Sequence, residues 1–241
     1  MAETTIVTTA ESPLAGPGAP SLRRSPAAHL ADAFAAAGAA TAASGRPVSV
    51  REVPFLTQLG LRAVPGSAGS AAIESALGVP LPTEHGSTTT GGGYTVLWIG
   101  PDEFLAVGDV ARNDGIDDDS ASHDRGQAEA ARVGAALGEG GGRTPGAVVD
   151  LSANRTTFEL SGPSALAVLE KGISFDLHPR NFAAGRAIAT VLDHVPVLLW
   201  KTGEECYRIL PRASFADHVG RWLVDAMREF AVRERTELGV R

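Results

Sequence analysis

Hydrophobic and polar positions alternate in short runs along most of the chain, and helical spacing intervenes only a few times. Residues 48–53 (VSVREV) set Val48, Val50 and Glu52 on one side and Ser49, Arg51 and Val53 on the other, which predicts a strand. A second strand is predicted over 57–64. Residues 67–77 are alanine-rich and end at Gly78, a natural helix stop. Pro80 and Pro82 enforce an extended connection, and 83–93, with its Ser, Thr and three successive glycines, reads as a flexible loop. Residues 94–100 (YTVLWIG) and 104–108 (FLAVG) are two strands around the turn Pro101-Asp-Glu103. An acidic loop follows over 109–124, then a helix over 125–137. Residues 138–146 hold five glycines and a proline and read as a flexible link.

Beyond that link the pattern sharpens. Residues 147–151 (AVVDL) and 155–161 (RTTFELS) are successive strands. Gly162-Pro163 then opens a helix, proline being suited to a first position whose N–H has no partner. That helix buries Leu166 and Leu169 and stops at Gly172. Strands over 186–192 and 195–201 flank the two-residue turn Asp193-His194. The turn 202–205 leads to a third strand, 206–210, completing a meander. The last helix is capped by Ser214, with Asp217 three residues on as a variant capping box. Phe215, Val219, Trp222, Leu223, Ala226 and Phe230 give it one apolar, core-facing stripe. The order β-β-α-β-β-β-α after the link, and a similar mixture before it, predict an α+β fold. Two α+β subdomains with mainly antiparallel sheets are expected, over 26–138 and 147–235.

The N-terminus lacks such a period. Residues 1–25 are rich in Thr, Pro, Ala and Gly and are expected to be a disordered or extended tail, followed by a short helix over 26–38. Arg23-Arg24 before the alanine-rich 27–43 has the outline of a twin-arginine signal, but His29 and Asp32 interrupt it. No apolar run reaches the length of a membrane span, so no membrane association and a cytoplasmic location are expected.

Charge narrows the function. The 241 residues carry a formal net charge of −7, which gives no general attraction for phosphate and argues against a nucleic-acid partner. Lys171 and Lys201 are the only lysines. Arginine is favoured at protein interfaces, although the abundance of Ala and Gly points as well to base composition. The single cysteine, Cys206, rules out an intrachain disulfide and a thiolate zinc site, and is expected to be a buried structural thiol.

Catalytic signatures are missing. Asp114, Asp117, Asp118 and Asp119 lack the spacing of a calcium loop and read as a solvated acidic loop. Gly91-Gly-Gly93 precedes a strand, whereas a dinucleotide loop follows a strand and opens a helix. The six histidines are scattered, and Ser161-Gly-Pro-Ser164 is a helix entrance rather than a nucleophile elbow. The strongest polar constellation is Asp150, Asn154, Arg155, Asp176, His178 and Arg180. An Asp and a His there could serve acid–base chemistry, and a polar interface loop explains them equally well. The expectation is no catalytic, cofactor-binding or metal residue in this chain.

Four blocks, however, carry a family likeness. Residues 53–62 (VPFLTQLGLR), 98–107 (WIGPDEFLAV), 150–182 (DLSANRTTFELSGPSALAVLEKGISFDLHPRNF) and 206–225 (CYRILPRASFADHVGRWLVD) together resemble the sarcosine oxidase gamma family, over roughly 22–230. The strand–Ser-Gly-Pro–helix element also resembles the folate-dependent aminomethyltransferases, which implies the N-terminal part of their fold without the C-terminal barrel. The related iron–sulfur-assembly signature K-G-C-Y-x-G-Q-E is absent, since Lys171-Gly-Ile-Ser174 has no cysteine. The likeness implies a non-catalytic gamma subunit of a heterotetramer with alpha, beta and delta partners. It implies FAD, FMN, NAD, tetrahydrofolate and zinc on those other subunits. The implied complex oxidises sarcosine to glycine with hydrogen peroxide and formaldehyde or 5,10-methylenetetrahydrofolate. A free-standing folate-binding or aminomethyltransferase-like protein is the alternative.

Overall fold

Among the described residues, ten strands assemble into two five-stranded antiparallel sheets, and central strands such as Tyr94–Gly100 and Glu103–Gly108 are buried on both faces because each sheet is packed on both sides. The structure, a computed structural model, describes residues 24–109 and 119–231. Most of the expected tail 1–25, and Asp114, Asp117 and Asp118 of the acidic loop, lie outside the described residues.

The first sheet runs β1 (Ser49–Glu52), β7 (Phe158–Ser161), β10 (Cys206–Pro211), β9 (Val195–Gly203), β8 (Ala187–Leu192). Leu160 lies between Val50 and Tyr207, and Phe158 between Glu52 and Ile209. Against the outer face of this sheet pack α1 (Ala31–Ala42), α4 (Ala165–Leu169) and α5 (Ala216–Met227). Phe34 of α1 meets Phe158 edge-on, with ring centroids 5.9 Å apart, a geometry that suits the aromatic quadrupoles.

The second sheet runs β3 (Thr88–Gly91), β4 (Tyr94–Gly100), β5 (Glu103–Gly108), β2 (Gln58–Arg62), β6 (Ala147–Asp150). Its outer face is covered by α2 (Ala68–Leu77) and α3 (Asp119–Ala135), through Ile73, Leu77, Val133 and the following Leu137. The α2 ends are local chemistry. Ser67 Oγ accepts a hydrogen bond from Ser70 N at 3.2 Å, and Gly78 closes the helix at φ 73°, where a side chain would be strained. Between the two sheets lies a third core, with Val53, Leu56, Leu97, Leu105, Leu198 and Leu210. The layers therefore run helices, sheet, sheet, helices. This is the expected α+β class with antiparallel sheets, and the described residues contain no closed barrel.

The connections hold the main departures. Neither sheet is confined to one side of the glycine-rich segment 138–146. β1 pairs with β7, and β6 pairs with β2, so each stretch of chain lends one edge strand to the other's sheet. The successive strands β6 and β7 accordingly lie in different sheets. Residues 83–93 are not a loop throughout. Their β-branched threonines form β3, and Gly92-Gly93, at φ 56° and 78°, make a two-residue hairpin turn. Such turns need positive φ at both central residues, so this glycine pair sets a register instead of conferring flexibility.

Smaller corrections have equally local causes. The helix expected over 26–38 continues to Ala42, and α3 begins at Asp119, six residues inside the expected acidic loop. Ser214 does not cap α5. A 3-10 turn over Ala213–Phe215 leads into the helix with Phe215 at the cap position and no side-chain cap, leaving Phe215 exposed. In α4, Val168 and Leu169 are buried and Leu166 is half-buried. Cys206 is half-buried as well, at a bulge where β10 begins.

Candidate functional site

The six residues singled out by sequence fall into two groups on different connections. Asp150, Asn154 and Arg155 lie where the chain crosses from β6 to β7. The Asp150 carboxylate accepts from Ser152 N at 2.9 Å and from Ser152 Oγ at 2.6 Å. Ser152 Oγ in turn accepts from Gln58 N at 3.0 Å. The Asn154 carbonyl accepts from Ala213 N at 2.9 Å. Asp150 therefore shapes the crossover through a local turn of the Asx type.

Arg155 is the least ordinary member. Its backbone bridges to Arg212, and its guanidinium donates to the Leu210 carbonyl at 3.1 Å. Burial is the largest influence on it and pulls its pKa below the ordinary value. The nearby Arg212 charge acts in the same direction, partly opposed by Glu103. It lines an apolar cleft of about 260 Å³ where the two sheets part, with Gly60, Leu105, Val149, Leu151 and Leu198. A Cβ at Gly60 would stand 2.6 Å from Leu151 Cδ1, so a side chain here would require Leu151 to shift.

Asp176, His178 and Arg180 form the second group, in the turn after α4, and all three are exposed. Asp176 accepts from His178 N at 2.9 Å and from Asn181 Nδ2. The backbone donor, then the Asn181 amide, hold the Asp176 carboxyl below its ordinary range. His178 Nδ1 accepts from Arg180 N at 3.2 Å, and the His178 carbonyl accepts from Phe182 N at 2.9 Å. That places the proton of the neutral ring on Nε2. The turn anchors Phe182, which is buried and meets Phe175 edge-on at 6.0 Å. No hydrogen bond among the described residues joins this group to the first.

Two charged arrangements escaped the sequence reading. Glu159 sits between Arg51 and Arg208 in the register of β1, β7 and β10. It accepts from Arg51 at 2.6 and 2.9 Å and from Arg208 at 3.3 Å, and the Arg208 guanidinium stacks over Trp200 at 5.2 Å. Lys201 is buried, with Nζ 3.8 Å from Glu204 and 5.7 Å from the Tyr207 ring centroid. Burial also raises the Tyr207 pKa. Parity along β9 was the available signal for Lys201, because it shares the inward face of Val197 and Leu199.

The glycine run 91–93 is filled by the protein itself. A Cβ on Gly92 would stand 1.9 Å from the Leu77 carbonyl oxygen, so the turn packs on the end of α2 and cradles no phosphate. No cluster of three His, Cys, Asp or Glu suited to a metal occurs among the described residues, and none of their helices is long and apolar enough to cross a membrane.

The paired-sheet framework defines the class of protein. It matches aminomethyltransferase T of the glycine cleavage system from Bartonella henselae with a TM-score of 0.51, over 78% of this chain and 48% of that one. At 13% identity that likeness shows the fold alone. Residues 62–229 match the model of the sarcosine oxidase, gamma subunit family. The sarcosine oxidase gamma subunit of Corynebacterium sp. strain U-96 is 51% identical over 214 residues, covering 88% of this chain and 94% of that protein. The Arthrobacter sp. gamma subunit is 50% identical over 212 residues, covering 93% of that protein. A chain of the heterotetrameric sarcosine oxidase from Corynebacterium sp. U-96, solved with pyrrole 2-carboxylate, superposes with a TM-score of 0.75 at 50% identity. That match covers 88% of this chain and 98% of that one. The chain belongs to the sarcosine oxidase gamma subunit family.

Proposed function

We propose that this chain is the gamma subunit of a heterotetrameric sarcosine oxidase and serves it as a non-catalytic structural partner. The observation carrying this reading is 51% identity across 94% of the Corynebacterium gamma subunit. The alpha, beta and delta subunits supply the chemistry, with FAD, FMN, NAD, tetrahydrofolate and zinc bound there. The complex works in the cytoplasm. It oxidises sarcosine to glycine with hydrogen peroxide, and the one-carbon unit leaves as formaldehyde or 5,10-methylenetetrahydrofolate.

A supporting role for this chain agrees with its side chains. The exposed Asp176–Arg180 turn spends its hydrogen bonds on its own backbone and on the Asn181 side chain, and those bonds hold the Asp176 carboxyl below its ordinary range. The test is co-expression with the three partner genes and purification through a tag on this chain. Yellow flavoprotein with sarcosine-dependent peroxide production is expected to co-purify. Recovery of the tagged chain alone overturns the reading.

A further inference from the structure

The cleft at Arg155 has a chemistry that the protein's own groups leave incomplete. Its walls are apolar: Leu105 and Gly60 from the second sheet, Leu198 from the first, and Leu151 from the crossover. Val149 stands at its edge on β6, the outermost strand of the second sheet, and is 53% exposed. Exposed β-branched side chains on edge strands are usually replaced by charge or covered. Arg155 reaches into this wall half-buried. Its guanidinium finds one carbonyl acceptor, at 3.1 Å, and forms no ion pair with any carboxylate among the described residues.

The other charges at the cleft do not answer it. Arg62 is committed to Asp102 at 3.2 Å, Arg212 adds like charge, and Glu103 is exposed, offsets that charge in part and forms no ion pair with Arg155. A planar guanidinium offers five donors in a fork that matches a carboxylate, and a desolvated one gains most from such a partner. Apolar area surrounding one underused arginine is the composition of a protein interface centre.

We propose that this cleft is a docking site for an acidic segment of a partner subunit. That segment sets an Asp or Glu carboxylate on Arg155 and covers Val149 and the apolar wall with its neighbouring side chains. The inference rests on the assembly reading above and names the surface that assembly uses. A protein segment is favoured over a free small acid because Val149, exposed on the edge strand β6, adds apolar surface beside the guanidinium that a small acid would leave uncovered.

The test uses the co-expressed complex, tagged on this chain. Val149→Glu hands Arg155 an internal carboxylate and repels an acidic partner, at an exposed position where folding is not at stake. Arg155→Met removes the fork, and Arg155→Lys retains the charge without it. Val149→Glu and Arg155→Met are each expected to lower the yield of co-purified partner by at least about tenfold, with Arg155→Lys intermediate. Partner recovery at the wild-type level with either of the first two variants overturns the docking site and leaves the assembly reading standing. Full recovery with both, accompanied by binding of free glutarate to the wild-type chain, makes the cleft a small-acid site and equally overturns the proposal. A wild-type chain that brings down no partner sinks the assembly reading, and this inference with it.

Discussion

Single residues in this protein are legible where their neighbours along the chain determine them. Gly78 as a helix stop needs only the helix before it. Gly92 needed more, because its reason lies in what it touches. At φ 56°, with the Leu77 carbonyl 1.9 Å from any Cβ, alanine there must strain the backbone and displace the end of α2. Gly92→Ala is expected to destabilise the protein by about 2–4 kcal/mol, read from denaturant midpoints at unchanged slope. Gly66→Ala is the control, since Gly66 shares a positive φ with nothing within 4 Å of its Cβ, and it should cost about 1 kcal/mol. Equal effects at the two sites would remove the packing argument. Lys201 marks the other limit. Strand parity places it inward, but a buried lysine runs against composition, and only the Tyr207 ring and Glu204 across the β9–β10 turn make it tolerable.

Among elements, strong periods fix the type, and some ends follow from local chemistry, as at Gly78, while others do not. The meander β8–β9–β10 follows from alternation and two tight turns, and α5 from its apolar stripe. Its start was misjudged because a Ser followed by an Asp satisfies the capping rule, while the chain was committed to a 3-10 turn. Asp217 instead ties α5 to the segment before α1. It pairs with His29 at 2.5 Å and with Arg221 at 3.0 Å, and these bonds, His29 first, hold its carboxyl below the ordinary range. A carboxyl depressed in the folded state stabilises that state above its unfolded pKa, near 3.9, and loses the contribution as pH falls through the lower folded value. Wild type should therefore exceed Asp217→Asn in melting temperature by a small margin near pH 5, and the margin should begin to narrow below about pH 4 and vanish as pH falls through the lower folded value. A margin that persists undiminished in acid contradicts the assignment.

The whole molecule is where local patterns run out. Both sheets present the same alternation, so nothing in VSVREV tells β1 to pair across the molecule with β7, or in AVVD tells β6 to return to β2. Exchange of these edge strands is a long-range choice, settled by which exposed edge and which apolar face remain to be covered. The third core binds the sheets further, through residues drawn from both sides of the glycine-rich segment. Separately produced fragments 24–138 and 147–231 are accordingly expected to lack native near-ultraviolet dichroism and cooperative melting, and to regain both on mixing. A cooperative transition in either fragment alone contradicts this account.

The strand exchange also dictates an order of events during synthesis. β1 emerges early from the ribosome, yet Ser49 meets its partner Ser161 only 112 residues later. At about 5–20 residues per second, its apolar edge waits for at least several seconds with nothing to pair against. The first sheet can close only once β7 and then β10 have been made, so the nascent chain depends on delayed, distant pairing instead of folding stepwise from its N-terminus. A subunit with this topology has a long interval in which an edge strand is open to the wrong partner. Producing it beside its proper partners would shorten the exposure that follows release, although the wait on the ribosome itself is written into the order of its strands.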